Sequence, residues 1–171
     1  MSNEMQPPLF DLTGKVAIIT GASRGLGQYF GRALARAGAD LVITSRNVDS
    51  LVDFKREIES LGRRALPVRL DVRSEESIEE MTSASIEHYG HVDVLVNNAG
   101  LNIRKPATEV TWDDWDTVLD TNLKGQFFCA RAVAKHMIAH GYRTIDDTVM
   151  WDIATNGIPT LLAEIEQILP G

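Results

Sequence analysis

The chain has 171 residues, 44% hydrophobic and 24% charged, which fits one globular domain around a single core. Its formal net charge of -7 argues against a general nucleic-acid binder, and its one cysteine, Cys129, excludes an internal disulfide framework or a zinc site built from several cysteines. No apolar run reaches the roughly 18 residues that span a membrane, and the first ten residues carry neither the basic nor the apolar region of a secretory signal. A cytoplasmic location without membrane or nucleic-acid partners is therefore expected.

Residues 1–8 are polar and proline-containing and read as a loose arm. Lys15-Val16-Ala17-Ile18-Ile19-Thr20 is short, β-branched and uncharged after Lys15, as expected of a parallel strand buried on both faces. It runs into Gly21-Ala22-Ser23-Arg24-Gly25-Leu26-Gly27, spaced Gly-x-x-x-Gly-x-Gly, and then into a helical pattern carrying Phe30, Leu34 and Ala35 that Gly38 ends. Gly21 suits a turn with positive φ, and Gly25 and Gly27 remove side chains where backbone must approach a ligand or a neighbouring strand. The free N–H groups that open the helix make the turn a place for a phosphate.

A second buried strand spans 40–44 and ends at Ser45-Arg46-Asn47, followed by a helix over 48–61. A third strand, 65–70, is predicted at a sheet edge because of Pro67, and Asp71-Val72 is its outlet. Ser74 caps a helix running to about Tyr89. A fourth strand, 92–96, opens into Asn97-Asn98-Ala99-Gly100, and after a loop Thr111 caps one long helix predicted to continue to about His140. Strand and helix alternate four times, which predicts an α/β, doubly wound, Rossmann-like parallel sheet in the order 3-2-1-4. The four unusual loops then meet on one rim, at the C-terminal ends of the strands.

These loops, in this order, resemble the short-chain dehydrogenase/reductase family. Residues 20–27 are similar to its Thr-Gly-x-x-x-Gly-x-Gly cofactor turn, Asp71-Val72 to its adenine-contacting pair, and 97–100 to its Asn-Asn-Ala-Gly signature. Asn122, in Thr121-Asn122-Leu123, is similar to the asparagine of its catalytic tetrad. The wording of 41–46 and 101–108 is most similar to branches acting on sugar acids and polyols, gluconate 5-dehydrogenase among them. The resemblance implies a nicotinamide dinucleotide held by Gly21, Ser23, Arg24, Gly25, Leu26, Gly27, Ser45, Arg46, Asp71, Val72, Asn98, Ala99 and Gly100, and carbonyl/alcohol hydride transfer. It also implies a homo-oligomer packed through the helix over 111–140. An acid ending the second strand would bind a ribose 2′-hydroxyl, but here the strand ends Thr44-Ser45-Arg46. Arg24 and Arg46 would instead bracket a 2′-phosphate, so NADP is expected in preference to NAD.

The motifs carry the resemblance from about residue 10 to 140, a dinucleotide-binding domain over 1–142, and the fold is expected to be truncated relative to the family. The family continues with a catalytic serine and a Tyr-x-x-x-Lys pair. Here Tyr29, Tyr89 and Tyr142 are followed four residues on by Ala33, Asp93 and Asp146, no lysine follows Lys135 and no serine follows Ser85. Asn122 is the only tetrad member carried over, so a non-catalytic NADP-binding module is the alternative reading. Residues 143–171 form a divergent tail in which 148–152 suggests a fifth strand and Ile158, Leu161, Leu162, Ile165, Ile168 and Leu169 one helical face. His136 and His140 are four apart on a helix without a third ligand, so no metal is expected. Trp112 and Trp115 are expected to pack, and Cys129 to be buried filler.

Overall fold

The computed structural model describes residues 11–141 and the backbone of a strand at Val149–Asp152; Tyr142, the amino-terminal arm and the expected tail helix lie outside the described residues. Strands β1 (Val16–Ile19), β2 (Asp40–Ser45), β3 (Ala65–Arg69), β4 (Val94–Asn97) and β5 (Val149–Asp152) form one parallel sheet in the order β3-β2-β1-β4-β5. The expected order holds, β3 is an edge strand, and the suggested fifth strand pairs beside β4 with Asn97 opposite Asp152.

Side-chain alternation along each strand divides the core in two. Ala17, Ile19, Leu41, Ile43, Val94 and Val96 face one side, under helices α1 (Leu26–Arg36) and α2 (Val52–Ser60) through Ala35, Phe54 and Ile58. Val16, Ile18, Val42 and Leu95 face the other, under α3 (Glu75–Tyr89) through Ile78 and Met81 and under a carboxy-terminal helix through Cys129, Val133 and Met137. Successive residues point to opposite faces, so both faces must be apolar, as the uninterrupted hydrophobic strands require. The face of α1 nearest the sheet is a stripe of small residues, Gly27, Gly31 and Ala35, with Phe30 and Leu34 only partly buried at its sides. A Cβ at Gly31 would come within 2.5 Å of the Phe54 ring, so this glycine sets how closely α1 approaches α2.

Two buried carboxylates fasten the N-terminal edge of the sheet. Asp40 accepts from Arg63 Nη2 at 2.9 Å, from Arg64 Nε at 2.7 Å and from the Arg64 amide at 2.9 Å, tying β2 to the start of β3. Asp93 accepts from the Val16 amide at 2.7 Å and from Lys15 Nζ at 3.0 Å, tying β4 to β1.

The long helix predicted over 111–140 is not continuous. It comprises α4 (Trp112–Leu119), one stretch of π-helix (Asp120–Gly125) and α5 (Gln126–Ala139). The wider turn advances the phase, so α5 buries Cys129, Ala132, Val133 and Met137 while α4 buries no residue. Trp112 and Trp115, expected to pack, are 84% and 56% exposed, because α4 lies on the other side of that phase change and buries no residue. Cys129 is buried as expected, and burial pushes its thiol up to about 12.

Gly125 closes the π-helix where it meets the outlet of β3: a Cβ there would sit 2.7 Å from the Val72 carbonyl oxygen and 2.8 Å from Val72 Cβ. Gly125→Ala would gain about 0.5–1 kcal/mol of helix propensity against an overpacking penalty of about 1–3 kcal/mol. A net fall in the urea midpoint with an unchanged slope is the expected result.

Candidate functional site

The four loops meet above the C-terminal ends of β1, β2, β3 and β4 and enclose a cleft of about 680 Å³. Gly21, Ser23, Arg24, Gly25, Leu26, Ser45, Arg46, Asp71, Val72, Asn98, Ala99 and Gly100 all line it, as the sequence suggested. Asn47, Ser50, Leu70, Arg73, Leu101 and Thr121 line it as well, and sequence reasoning did not single these out. Most of them are direct chain neighbours of the expected residues, which was the available signal. Gly27 is buried behind the cleft wall rather than in it.

The glycine turn is built by polar bracing. Thr20 Oγ1 accepts from the amides of Asn98 and Ala99, both at 2.9 Å, and donates to the Val96 carbonyl at 3.3 Å. Asn98 Nδ2 returns the contact, donating to the carbonyls of Thr20 at 2.9 Å and Gly21 at 3.0 Å. On the other side, Thr44 Oγ1 accepts from the Gly21 amide at 3.4 Å, and the Thr44 carbonyl accepts from the Ala22 amide at 2.8 Å.

These bonds change the roles of two glycines. Gly21 has φ 69°, and a Cβ on it would lie 2.9 Å from Ala99 Cα, so it serves the turn and the close approach of β4's outlet. A Cβ on Gly27 would lie 2.5 Å from the Gly21 carbonyl oxygen and 2.8 Å from Asn98 Nδ2. Gly25, by contrast, has φ 60° and open space where a Cβ would be, and it stands at the mouth of α1.

Helix α1 begins without a side-chain cap and without an acid in its first turn. α3 and α4 are capped by Ser74 and Thr111 and carry acids there, Glu75 and Glu76 in one and Asp113 and Asp114 in the other. The uncapped N-terminus faces the cleft, an arrangement that suits an anion.

Three arginines line the cleft, and they differ. Arg73 donates to Asp71 Oδ1 through Nε at 3.0 Å and to Oδ2 through Nη2 at 2.7 Å. These bonds hold the Asp71 carboxyl down at about 2, against partial burial that acts the other way. The pair therefore favours the folded state above the ordinary carboxylate range, and that contribution disappears as pH falls toward 2. Arg24 and Arg46 make no ion pair among the described residues.

Asn122 lies in the π-helix and is not among the residues that line the cleft; it touches the lining residue Leu101, whose amide donates to its Oδ1 and whose carbonyl accepts from its Nδ2, both at 2.8 Å. Asn97 Nδ2 donates to the Gln126 carbonyl at 3.3 Å, joining β4 to the start of α5. Neither described tyrosine lies in the cleft. Tyr89 donates to the Leu41 carbonyl at 3.1 Å, and burial pushes its phenol up to about 12. Among the described residues no group of three or more His, Cys, Asp or Glu side chains is placed to hold a metal ion, and no helix is long and apolar enough to cross a membrane.

Residues 15–145 match the family model of the short chain dehydrogenases. The chain belongs to this family. Among curated relatives it is similar to the 2-dehydro-3-deoxy-D-gluconate 5-dehydrogenase of Escherichia coli K12, at 42% identity over 77% of this chain and 51% of the relative. It is also similar to the gluconate 5-dehydrogenase of Gluconobacter oxydans, at 38% identity over 89% of this chain and 60% of the relative. The chain thus spans little more than half the length of these relatives, and the second match carries the likeness past Tyr142, further than the motifs do. Among solved structures, a short-chain type dehydrogenase/reductase from Mycobacterium marinum matches with a TM-score of 0.76 and 36% identity, over 78% of this chain and 54% of that one. A metagenomic short-chain oxidoreductase solved in complex with NADP matches with a TM-score of 0.71 and 37% identity, over 75% of this chain and 59% of that one.

The Thr20–Asn98 bracing is open to direct measurement. Thr20→Val keeps the side-chain shape but leaves the amides of Asn98 and Ala99 without their acceptor, a loss of about 2 kcal/mol or more in denaturant unfolding. Because Thr20 and Asn98 act as one unit, combining Thr20→Val with Asn98→Ala is expected to cost less than the sum of the single changes by about 0.5 kcal/mol or more.

Proposed function

We propose that this chain holds a nicotinamide dinucleotide, NADP in preference to NAD, in the cleft above β1, β2, β3 and β4. The supporting observation is the pair Arg24 and Arg46, two guanidinium groups without an ion-pair partner among the described residues, one in the turn after β1 and the other directly after β2, whose C-terminal end carries no acid to accept from a ribose hydroxyl. The donor set fits such a group: the uncapped start of α1 and Ser23 suit a pyrophosphate, and Arg24, Arg46 and Ser45 suit a 2′-phosphate. Asp71 and Val72 take the adenine end, and Asn98, Ala99 and Gly100 carry the wall toward the nicotinamide. When bound, the nicotinamide supplies or accepts hydride, and Asn122 holds the Leu101 backbone at that end of the cleft.

The likeness to enzymes named for gluconate derivatives favours a sugar acid or polyol as the substrate of the whole enzyme. The 171 residues contain no Tyr-x-x-x-Lys pair, and a tyrosine at its ordinary pKa of about 10 is a poor base at neutral pH without such a lysine. By itself this chain is therefore proposed to bind the dinucleotide and to turn over little substrate. Titration calorimetry with NADP and NAD tests the reading. Arg46→Ala should weaken NADP by roughly ten- to a hundredfold and leave NAD within about twofold. Equal weakening of both would remove Arg46 from the phosphate site, and brisk NADPH formation from NADP with a polyol or sugar acid, or brisk NADPH consumption with the corresponding keto compound, would overturn the reading of the chain as a binding module.

A homo-oligomer is proposed as well. Trp112, Trp115, Leu119, Leu123 and Phe127 are exposed and follow one another at spacings of three and four residues along α4, the π-helix and α5. A contiguous apolar strip of this kind suits a second copy of the same helix. Sedimentation velocity should give a dimer or larger species that Trp115→Glu converts to monomer; a monomeric parent chain would rule the surface out.

A further inference from the structure

The outlet of β3 presents a carboxylate whose hydrogen-bonding capacity is nearly filled from within. Asp71 Oδ1 accepts from the Arg73 amide at 3.1 Å and from Arg73 Nε at 3.0 Å, and Oδ2 accepts from Arg73 Nη2 at 2.7 Å. A carboxylate has about four acceptor positions, so one remains, on Oδ2. The Asp71 backbone is taken too: its amide donates to Ser77 Oγ and its carbonyl accepts from the Ser74 amide, both at 3.0 Å. Ser74 in turn caps α3 through the Ser77 amide at 3.2 Å, so the residue is fixed by a helix start on one side and a guanidinium fork on the other. Asp71 and Arg73 both line the cleft, alternating with the buried Leu70 and Val72.

We infer that Arg73 is a positioning residue for base recognition: its fork aims Asp71 so that a single open acceptor on Oδ2 meets a single N–H donor, which selects a 6-amino purine over a 6-oxo purine. The inference rests on the dinucleotide reading above. A 6-amino group offers a hydrogen to that acceptor, whereas a 6-oxo group sets lone pairs against a carboxylate. Arg73 thereby differs from Arg24 and Arg46. Its charge is matched by Asp71, so it adds little to the field that a phosphate meets, and it acts through geometry. A lysine cannot replace it, because an ammonium is a point charge without the planar fork that engages both carboxylate oxygens.

The test compares the full chain with Arg73→Ala and Arg73→Lys, using NADP, NAD and the hypoxanthine counterpart of NADP in equilibrium titrations. The parent chain should bind NADP roughly tenfold or more tightly than the hypoxanthine dinucleotide, the scale of one charge-assisted hydrogen bond. Both variants should bring that ratio to roughly threefold or less while leaving the NADP-to-NAD ratio unchanged. Arg46→Ala should do the reverse, changing the NADP-to-NAD ratio and sparing the base ratio. Equal weakening of the two bases, full discrimination retained by Arg73→Lys, or tighter binding once Arg73 is removed would each overturn the role of Arg73. A parent chain that binds both bases alike would overturn base selection alone, whereas a parent chain that binds none of the three would overturn the dinucleotide reading beneath it. Should Arg73→Ala fail to fold, Arg73→Lys and Asp71→Asn carry the same comparison, and both are expected to lose the base preference.

Discussion

The contact on which the cleft depends is the exchange between Thr20 and Asn98. One hydroxyl accepts two amides from the outlet of β4, and one side-chain amide donates to two carbonyls of the glycine turn. These are loops that leave parallel strands, and without cross-links each would present unpaired backbone groups at the sheet end. The exchange satisfies them mutually and makes two loops, 78 residues apart in sequence, into one wall. Glycine is needed at 21 and 27 because of this closeness: Ala99 Cα and Asn98 Nδ2 stand where their Cβ atoms would be. The amides of Gly21 and Ala22 are turned inward to Thr44, and the exposed start of α1, from Ser23 to Leu26, is what the turn presents to the cleft.

Charge is distributed along the strand axis. The chain is acidic overall, yet two buried carboxylates, Asp40 and Asp93, sit at the N-terminal edge of the sheet, each held by cations and amides. The opposite rim carries Arg24, Arg46 and Arg73 against Asp71, together with a helix start that no acid caps. A cleft of one sign within a molecule of the other concentrates field at its mouth, which favours the approach of an anion while the remaining surface repels it. Arg73 is paired with Asp71, while Arg24 and Arg46 make no ion pair among the described residues, so the same residue type stands in two electrostatic settings on one rim.

Strand order, the edge position of β3, the caps at Ser74 and Thr111 and the meeting of four loops were all legible in the sequence. They depend on local patterning and on the handedness of strand–helix–strand connections. What was not legible depends on registry between elements. One π-turn in a helix of nearly thirty residues alters the phase of every later side chain, yet its causes are Gly125 against Val72, Asn97 on the Gln126 carbonyl and Asn122 on Leu101, all partners distant in sequence. The exposure of Trp112 and Trp115 follows from the same shift, since a uniform 3.6-residue period would carry their face into the core. Arg73 was missed for a different reason: its signal is a two-residue offset from Asp71, which reads as an ordinary turn until the fork is seen.

The position of the π-turn links the cleft to the exposed helix face. Thr121 lines the cleft, Asn122 holds the lining residue Leu101, and Leu123 belongs to the apolar strip outside, three consecutive residues with three different surroundings. In a regular α-helix consecutive residues are about 100° apart, and on the π-turn observed here Gly125 also stands against Val72. The wider turn accommodates all four positions at once. Every described residue that lines the cleft lies between Gly21 and Thr121, and α5 supports this set from behind through Asn97 and Gln126. The proposed dinucleotide site and proton transfer draw on different groups: the first is argued from these lining residues, while neither Tyr89, raised by burial and bonded to Leu41, nor Cys129, raised by burial, is among them.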